Sequence, residues 1–147
     1  MAKPFQFDFL LQRAMDNREQ AALVIAAAVT RLRQAGEKHV QVTQYRSEYH
    51  AKLDADGRRG MPAHQWTEFK LFLEKLNTAV EHQAREISRC EAQLQSAKDA
   101  WLVCEKDVRA FETLRERHDE REAKQEVKLE QRMSDEWAAN LHRNRQS

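Results

Sequence analysis

The sequence predicts an all-α protein: a long two-helix antiparallel coiled-coil hairpin with an overhanging C-terminal helix. Three observations carry this. Only three glycines and two prolines occur in 147 residues, so the chain has few places to turn. Charged residues make up 33% and aromatic residues only 7%, which suits long helices with solvated faces and excludes a thick β-sandwich or a Rossmann domain. Apolar residues also recur at alternating steps of three and four along most of the chain, which is the pattern of a coiled-coil seam.

The first helix is expected over about residues 5–55. Its seam reads Leu11, Ala14, Arg18, Ala21, Ile25, Ala28, Leu32, Ala35, His39, Val42, Arg46, Tyr49 and Leu53, apolar except at Arg18, His39 and Arg46. Gly36 falls inside it and costs about 1 kcal/mol relative to Ala, so a local bend is expected there. Gly57, Gly60 and Pro62 cluster together and mark a turn over residues 56–63. The second helix then runs over about residues 64–142, with a seam from Trp66, Phe69, Leu73, Leu76 and Val80 through Gln83, Ile87, Cys90, Leu94, Ala97, Trp101, Cys104 and Val108 to Phe111. Gln83 is its polar exception. The whole chain is thus expected to be one coiled-coil domain.

Register follows from matching large residues with small ones across the seam. One choice places Ala35 on Ile87, Ala28 on Leu94, Ala21 on Trp101, Ala14 on Val108, Leu11 on Phe111, and His39 on Gln83. A slip of one heptad would bury Gln83 against Leu32 and His39 against Leu76, leaving polar groups among apolar ones. In the preferred register the second helix outlasts the first. From Arg115 its seam turns polar, and residues 115–142 are expected to stand unpaired, with the Pro4 to Leu10 segment as their only available cover.

Lys and Arg total 25 against 24 Asp and Glu, a net charge of +1, with both signs interleaved. That balance gives nucleic acid no basic stripe to bind. No apolar run is long enough to span a bilayer, and the N-terminus lacks the basic head and apolar core of a signal peptide. A cytosolic protein is expected. Cys90 and Cys104 lie on one helix, about 21 Å apart by helical rise, too far for an internal disulfide. The six histidines are scattered without metal-ligand spacing, and Gly57-Arg-Arg-Gly60 is too short and too basic for a phosphate-binding loop. A two-helix seam also provides no dry cleft in which a carboxylate could be tuned for acid–base work. No catalytic residue, metal or cofactor is expected.

Tyr45, Phe72 and Ala79 each sit one residue before a seam position, so they fall on one flank of the hairpin, bordered by Tyr49, Phe69 and Leu76. The residues alone leave two readings open: rings folded over a thin seam to widen it, or an exposed anchor for a partner. Near the C-terminus, Leu129, Met133, Trp137 and Leu141 form a narrow apolar line on an otherwise charged helix, a pattern that can dock in a groove.

The order of four short motifs resembles the FliJ family of flagellar type III export proteins. They are Phe5-Gln-Phe7-Asp-Phe-Leu-Leu11, Tyr45-Arg-Ser-Glu-Tyr49, the Trp66, Phe69, Phe72, Leu73, Leu76 run, and Glu130-Gln-Arg-Met-Ser-Asp-Glu136. The resemblance implies a non-enzymatic protein, similar to the central stalk of rotary ATPases, that inserts into the hexameric export ATPase and promotes its assembly and activity. It also implies a contact with the cytoplasmic linker of the large export-gate subunit, carried over to Val42, Tyr45, Tyr49, Phe72, Leu76 and Ala79. Contacts with the ATPase ring are expected at Phe7, Leu11, Leu129, Met133, Trp137 and Leu141, and peripheral association with the cytoplasmic face of the membrane at the flagellar base follows. Alternatives are an escort for export substrates and chaperones, or the corresponding injectisome stalk.

Overall fold

The computed structural model describes residues 3–146. Two helices account for nearly all of them: α1, Asp8–Arg59, and α2, Ala63–Gln146. Among the described residues there is no strand. The all-α class read from the seam is the class observed.

Helix α1 starts where Asp8 brings a carboxylate to the positive end of the helix, after Asp8 N–H donates to the Phe5 carbonyl at 3.2 Å. It ends on Arg58 and Arg59, cations that suit the negative end. Gly60 then takes φ +88, a left-handed conformation natural to glycine at a helix C-terminus. Pro62 cannot extend α1, and its carbonyl instead accepts the Trp66 N–H at 3.1 Å to open α2. The connection is therefore residues 60–62, shorter than the expected turn over 56–63, and α1 starts at Asp8 rather than near residue 5. Gly57 is helical rather than part of the turn, and the Trp66 ring packs close to it; an added Cβ would lie 3.0 Å from that ring. α1 also passes through Gly36 without interruption.

The chain divides into two compact units. One is Gln20–Trp101, a hairpin in its own right. Every expected seam residue within it, from Ala21 to Leu53 and from Trp66 to Trp101, is buried or half-buried. Arg46 donates to Asn77 at 3.4 Å and Tyr49 meets Phe72 at 4.8 Å between ring centroids, each within one residue of the register that sets Ala35 on Ile87. Gln83 resolves its polar position by donating to the Ala35 carbonyl at 3.0 Å, one turn from the His39 expected opposite it. The core is thin. Its buried members include Ala28, Ala35, Leu53, Leu76, Val80, Cys90 and Ala97.

The other unit comprises the described residues 3–19 and 102–146. Leu11, Ala14 and Val108 form its core, with Phe111 packed against them, as the predicted Ala14–Val108 and Leu11–Phe111 pairings require. Arg18, a polar seam position, is paired: its guanidinium meets Glu105 at 2.9 Å. Before α1 begins, residues 3–7 lie along α2 as a strap. The Lys3 carbonyl is 2.8 Å from His118 Nε2, Lys3 N–H donates to Glu122 at 3.2 Å, and the Phe5 ring tilts over His118. Because of the strap, Leu114, His118 and Glu122 are half-buried, and the fully exposed stretch begins at residue 123 rather than at Arg115.

Candidate functional site

Two surfaces carry the residues singled out by the sequence. The first lies within Gln20–Trp101, near the connection. Tyr45 and Phe72 project from flank positions of α1 and α2 and meet edge to face, 6.4 Å apart at 88°. Tyr49 fills the angle between them, 6.4 Å from Tyr45, 4.8 Å from Phe72 and 5.6 Å from Phe69. Such tilted and edge-to-face contacts align ring edges with ring faces and stiffen the cluster. Leu76 is buried beneath it, Val42 is half-buried, and Ala79 is exposed.

The cluster belongs partly to the seam and partly to the surface. Tyr49 and Phe69 are half-buried, whereas Tyr45 is 51% and Phe72 38% exposed. Burial among the rings raises the Tyr49 phenol above its ordinary pKa, and the neighbouring Tyr45 phenol raises it further. The Tyr49 phenol is therefore uncharged at neutral pH. The patch is an apolar surface edged by two phenols, that of Tyr45 exposed and that of Tyr49 half-buried. Phe69, read from sequence as a border residue, is a full member; its signal was a seam position beside a flank aromatic.

The second surface is the C-terminal part of α2. Every residue from 123 to 146 is exposed, including Leu129, Met133, Leu141 and Trp137, the last at 67%. Phe7 is half-buried and packs edge to face on Phe5 at 5.8 Å. Leu11 is 2% exposed. It holds the start of α1 onto α2 and offers no surface of its own.

A polar clasp not anticipated from the sequence sits in this same unit. Glu105 accepts from Arg18 at 2.9 Å and from Arg109 at 3.0 Å. These two hydrogen bonds, Arg18 first, hold its carboxyl below the ordinary value of 4.5. The available hint was a cation, Arg18, at a seam position facing acid-bearing turns of α2. A carboxyl with a lowered folded pKa adds stability that is present above its unfolded pKa and is lost as pH falls through the folded value. Glu105→Gln is therefore expected to lower the melting temperature at pH 7, with the difference from the parent shrinking as pH drops below about 4.5. A pH-independent difference would mean that the clasp acts through shape alone.

Among the described residues no three His, Cys, Asp or Glu side chains gather as a metal site. Cys90 and Cys104 are both free thiols. No helix of the described chain is long and apolar enough to cross a membrane.

The hairpin of residues 20–101 carries a ring cluster on one flank, and the second unit carries an exposed helix end; both are built from the paired long helices of a coiled-coil protein. The family described as Flagellar FliJ protein matches residues 3–147, and the chain belongs to that family. Among its relatives, the Flagellar FliJ protein of Escherichia coli (strain K12) is 24% identical over 120 residues, covering 82% of each chain. That of Salmonella typhi is 22% identical over 138 residues, covering 94% of each. No solved structure matches the chain. Membership makes the protein a component of flagellum biogenesis and flagellar protein export, in a family without catalytic function.

Proposed function

We propose that the chain is a non-enzymatic, stalk-like coupling factor of the flagellar export apparatus. In this reading it binds the hexameric export ATPase, promotes ring assembly and activity, and contacts the cytoplasmic linker of the large export-gate subunit. It works in the cytoplasm, peripherally associated with the membrane at the flagellar base, and needs no cofactor. The supporting observation is the ring cluster: Tyr45 and Phe72 hold large aromatic surface in water on one flank, a poor use of such residues unless a partner covers them. The gate contact is assigned to Val42, Tyr45, Tyr49, Phe72, Leu76 and Ala79, with Leu76 as the buried floor. The ATPase contact is assigned to Leu129, Met133, Trp137 and Leu141, beside Phe7.

Tyr45→Ala and Phe72→Ala are expected to weaken binding of the recombinant gate linker by about 1 to 3 kcal/mol each, as loss of interface anchors does. Their melting temperatures should move little, since both side chains lie off the seam. Tyr49→Ala should weaken binding and also destabilise. Calorimetric titration and thermal melting on the same samples separate the two effects. Normal binding by Tyr45→Ala and Phe72→Ala, combined with early melting, would reassign the rings to the seam.

A further inference from the structure

The flank that carries the ring cluster does not end at Ala79. On α2 the same face continues through His82, Glu86 and Arg89, at the alternating steps of three and four that keep residues on one side of a coiled-coil helix. On α1, Lys38 and Arg31 precede Tyr45 by one and two heptads. These residues line a groove of about 470 Å³ between the helices. Its floor includes Ala35 and Gln83, already tied together by the amide-to-carbonyl hydrogen bond at 3.0 Å.

The charge of this groove is unbalanced. Glu86 is its acid, and that carboxylate is held by Arg89 at 3.4 Å. Arg31 and Lys38 make no ion pair or hydrogen bond among the described residues, and both are exposed. The flank therefore changes character along its length, from uncharged rings to a cationic channel. The distance between the two ends is short: Tyr45 to Arg31 is about 21 Å by helical rise, within the reach of an extended segment of about seven residues.

We propose that the groove is a second subsite that takes an acidic stretch of the same linear segment whose apolar residues rest on the ring cluster. The proposal rests on the reading of the ring cluster as a partner site and names the chemistry of that partner: apolar residues followed, within a few positions, by carboxylates. Arg31 can take a carboxylate in bidentate fashion and Lys38 as a point charge, while Arg89 is partly neutralised by Glu86. The rings would supply most of the affinity. The groove would set the direction in which the segment lies and the speed of its capture, because complementary charge acts mainly on orientation and association rate.

Fluorescence anisotropy on the full chain tests this with a labelled synthetic peptide of two leucines followed by six glutamates, alongside the recombinant gate linker. The peptide is expected to bind, and to lose about tenfold in affinity when its glutamates become glutamines or when the chain carries Arg31→Glu with Lys38→Glu. The double variant should melt like the parent and show a weaker dependence on salt. Tyr45→Ala should weaken the glutamate and glutamine peptides alike. Equal binding of the two peptides, or an unchanged affinity and salt dependence in the double variant, would overturn the subsite, as would tighter capture of a single-stranded oligonucleotide. Should the glutamate peptide bind through Arg31 and Lys38 while the gate linker does not bind, the gate reading fails and the acidic subsite stands. Gate-linker binding that ignores the double variant gives the reverse.

Discussion

Val108→Asp is expected to destabilise the unit formed by residues 3–19 and 102–146 by about 3 to 4 kcal/mol, since it deletes a buried side chain and places an unpaired carboxylate in its position. Val108 is 0% exposed, and Leu11, Ala14 and Phe111 surround it. With so few buried layers, no neighbouring residue can take over. Hydrogen exchange in residues 8–19 and 102–122 should accelerate by the corresponding factor. Val103→Asp, on a side chain 60% exposed in the same unit, is the matched control and should stay within about 0.5 kcal/mol of the parent. If both variants unfold at the same urea concentration, the Leu11, Ala14 and Val108 core does not hold this unit together.

Truncation after Glu122 is expected to abolish stimulation of the export ATPase while leaving thermal stability and gate-linker binding close to those of the full chain. The described residues removed, 123–146, are all exposed, whereas the strap contacts at His118 and Glu122 are kept. A cut after Leu114 would confuse the result by removing those contacts too. Trp137→Ala is the single-residue counterpart: at 67% exposure it contributes little to folding, and its loss should reduce stimulation through contact alone. An undiminished ATPase response in the truncated chain would exclude the bare helix as the coupling element and favour the escort role.

The seam was legible because a heptad repeat reports directly on which face is covered, and a small–large match across it also fixed the register. The rings at Tyr45 and Phe72 were legible by the same logic, as apolar residues one step out of phase. What the repeat could not report was anything aperiodic. The strap over Leu114, His118 and Glu122 is built from backbone groups of Lys3 and the ring of Phe5, none of which has a period to read. Gly57 misled for a related reason. Composition marks a glycine as a breaker, but here its missing side chain leaves room for the Trp66 ring against α1, a contact formed only once the hairpin has closed. The Glu105 clasp likewise needed three side chains from two helices to be placed together.

The bare end of α2 also has a meaning in terms of helix–coil statistics. Starting a helix is the costly step, while extending one adds a hydrogen bond for each residue fixed. Residues 123–146 never have to start one: residues 102–122, clamped by α1 and the strap, act as a permanent seed from which the end propagates. An end of this kind melts from its free terminus inwards, gradually rather than all at once. Its like charges at successive four-residue steps, Lys124, Lys128 and Arg132 on one row and Glu126 and Glu130 on another, each subtract a few tenths of a kcal/mol from propagation. Fraying of this end is therefore expected to be graded rather than all-or-none, and to lessen with whatever neutralises those rows.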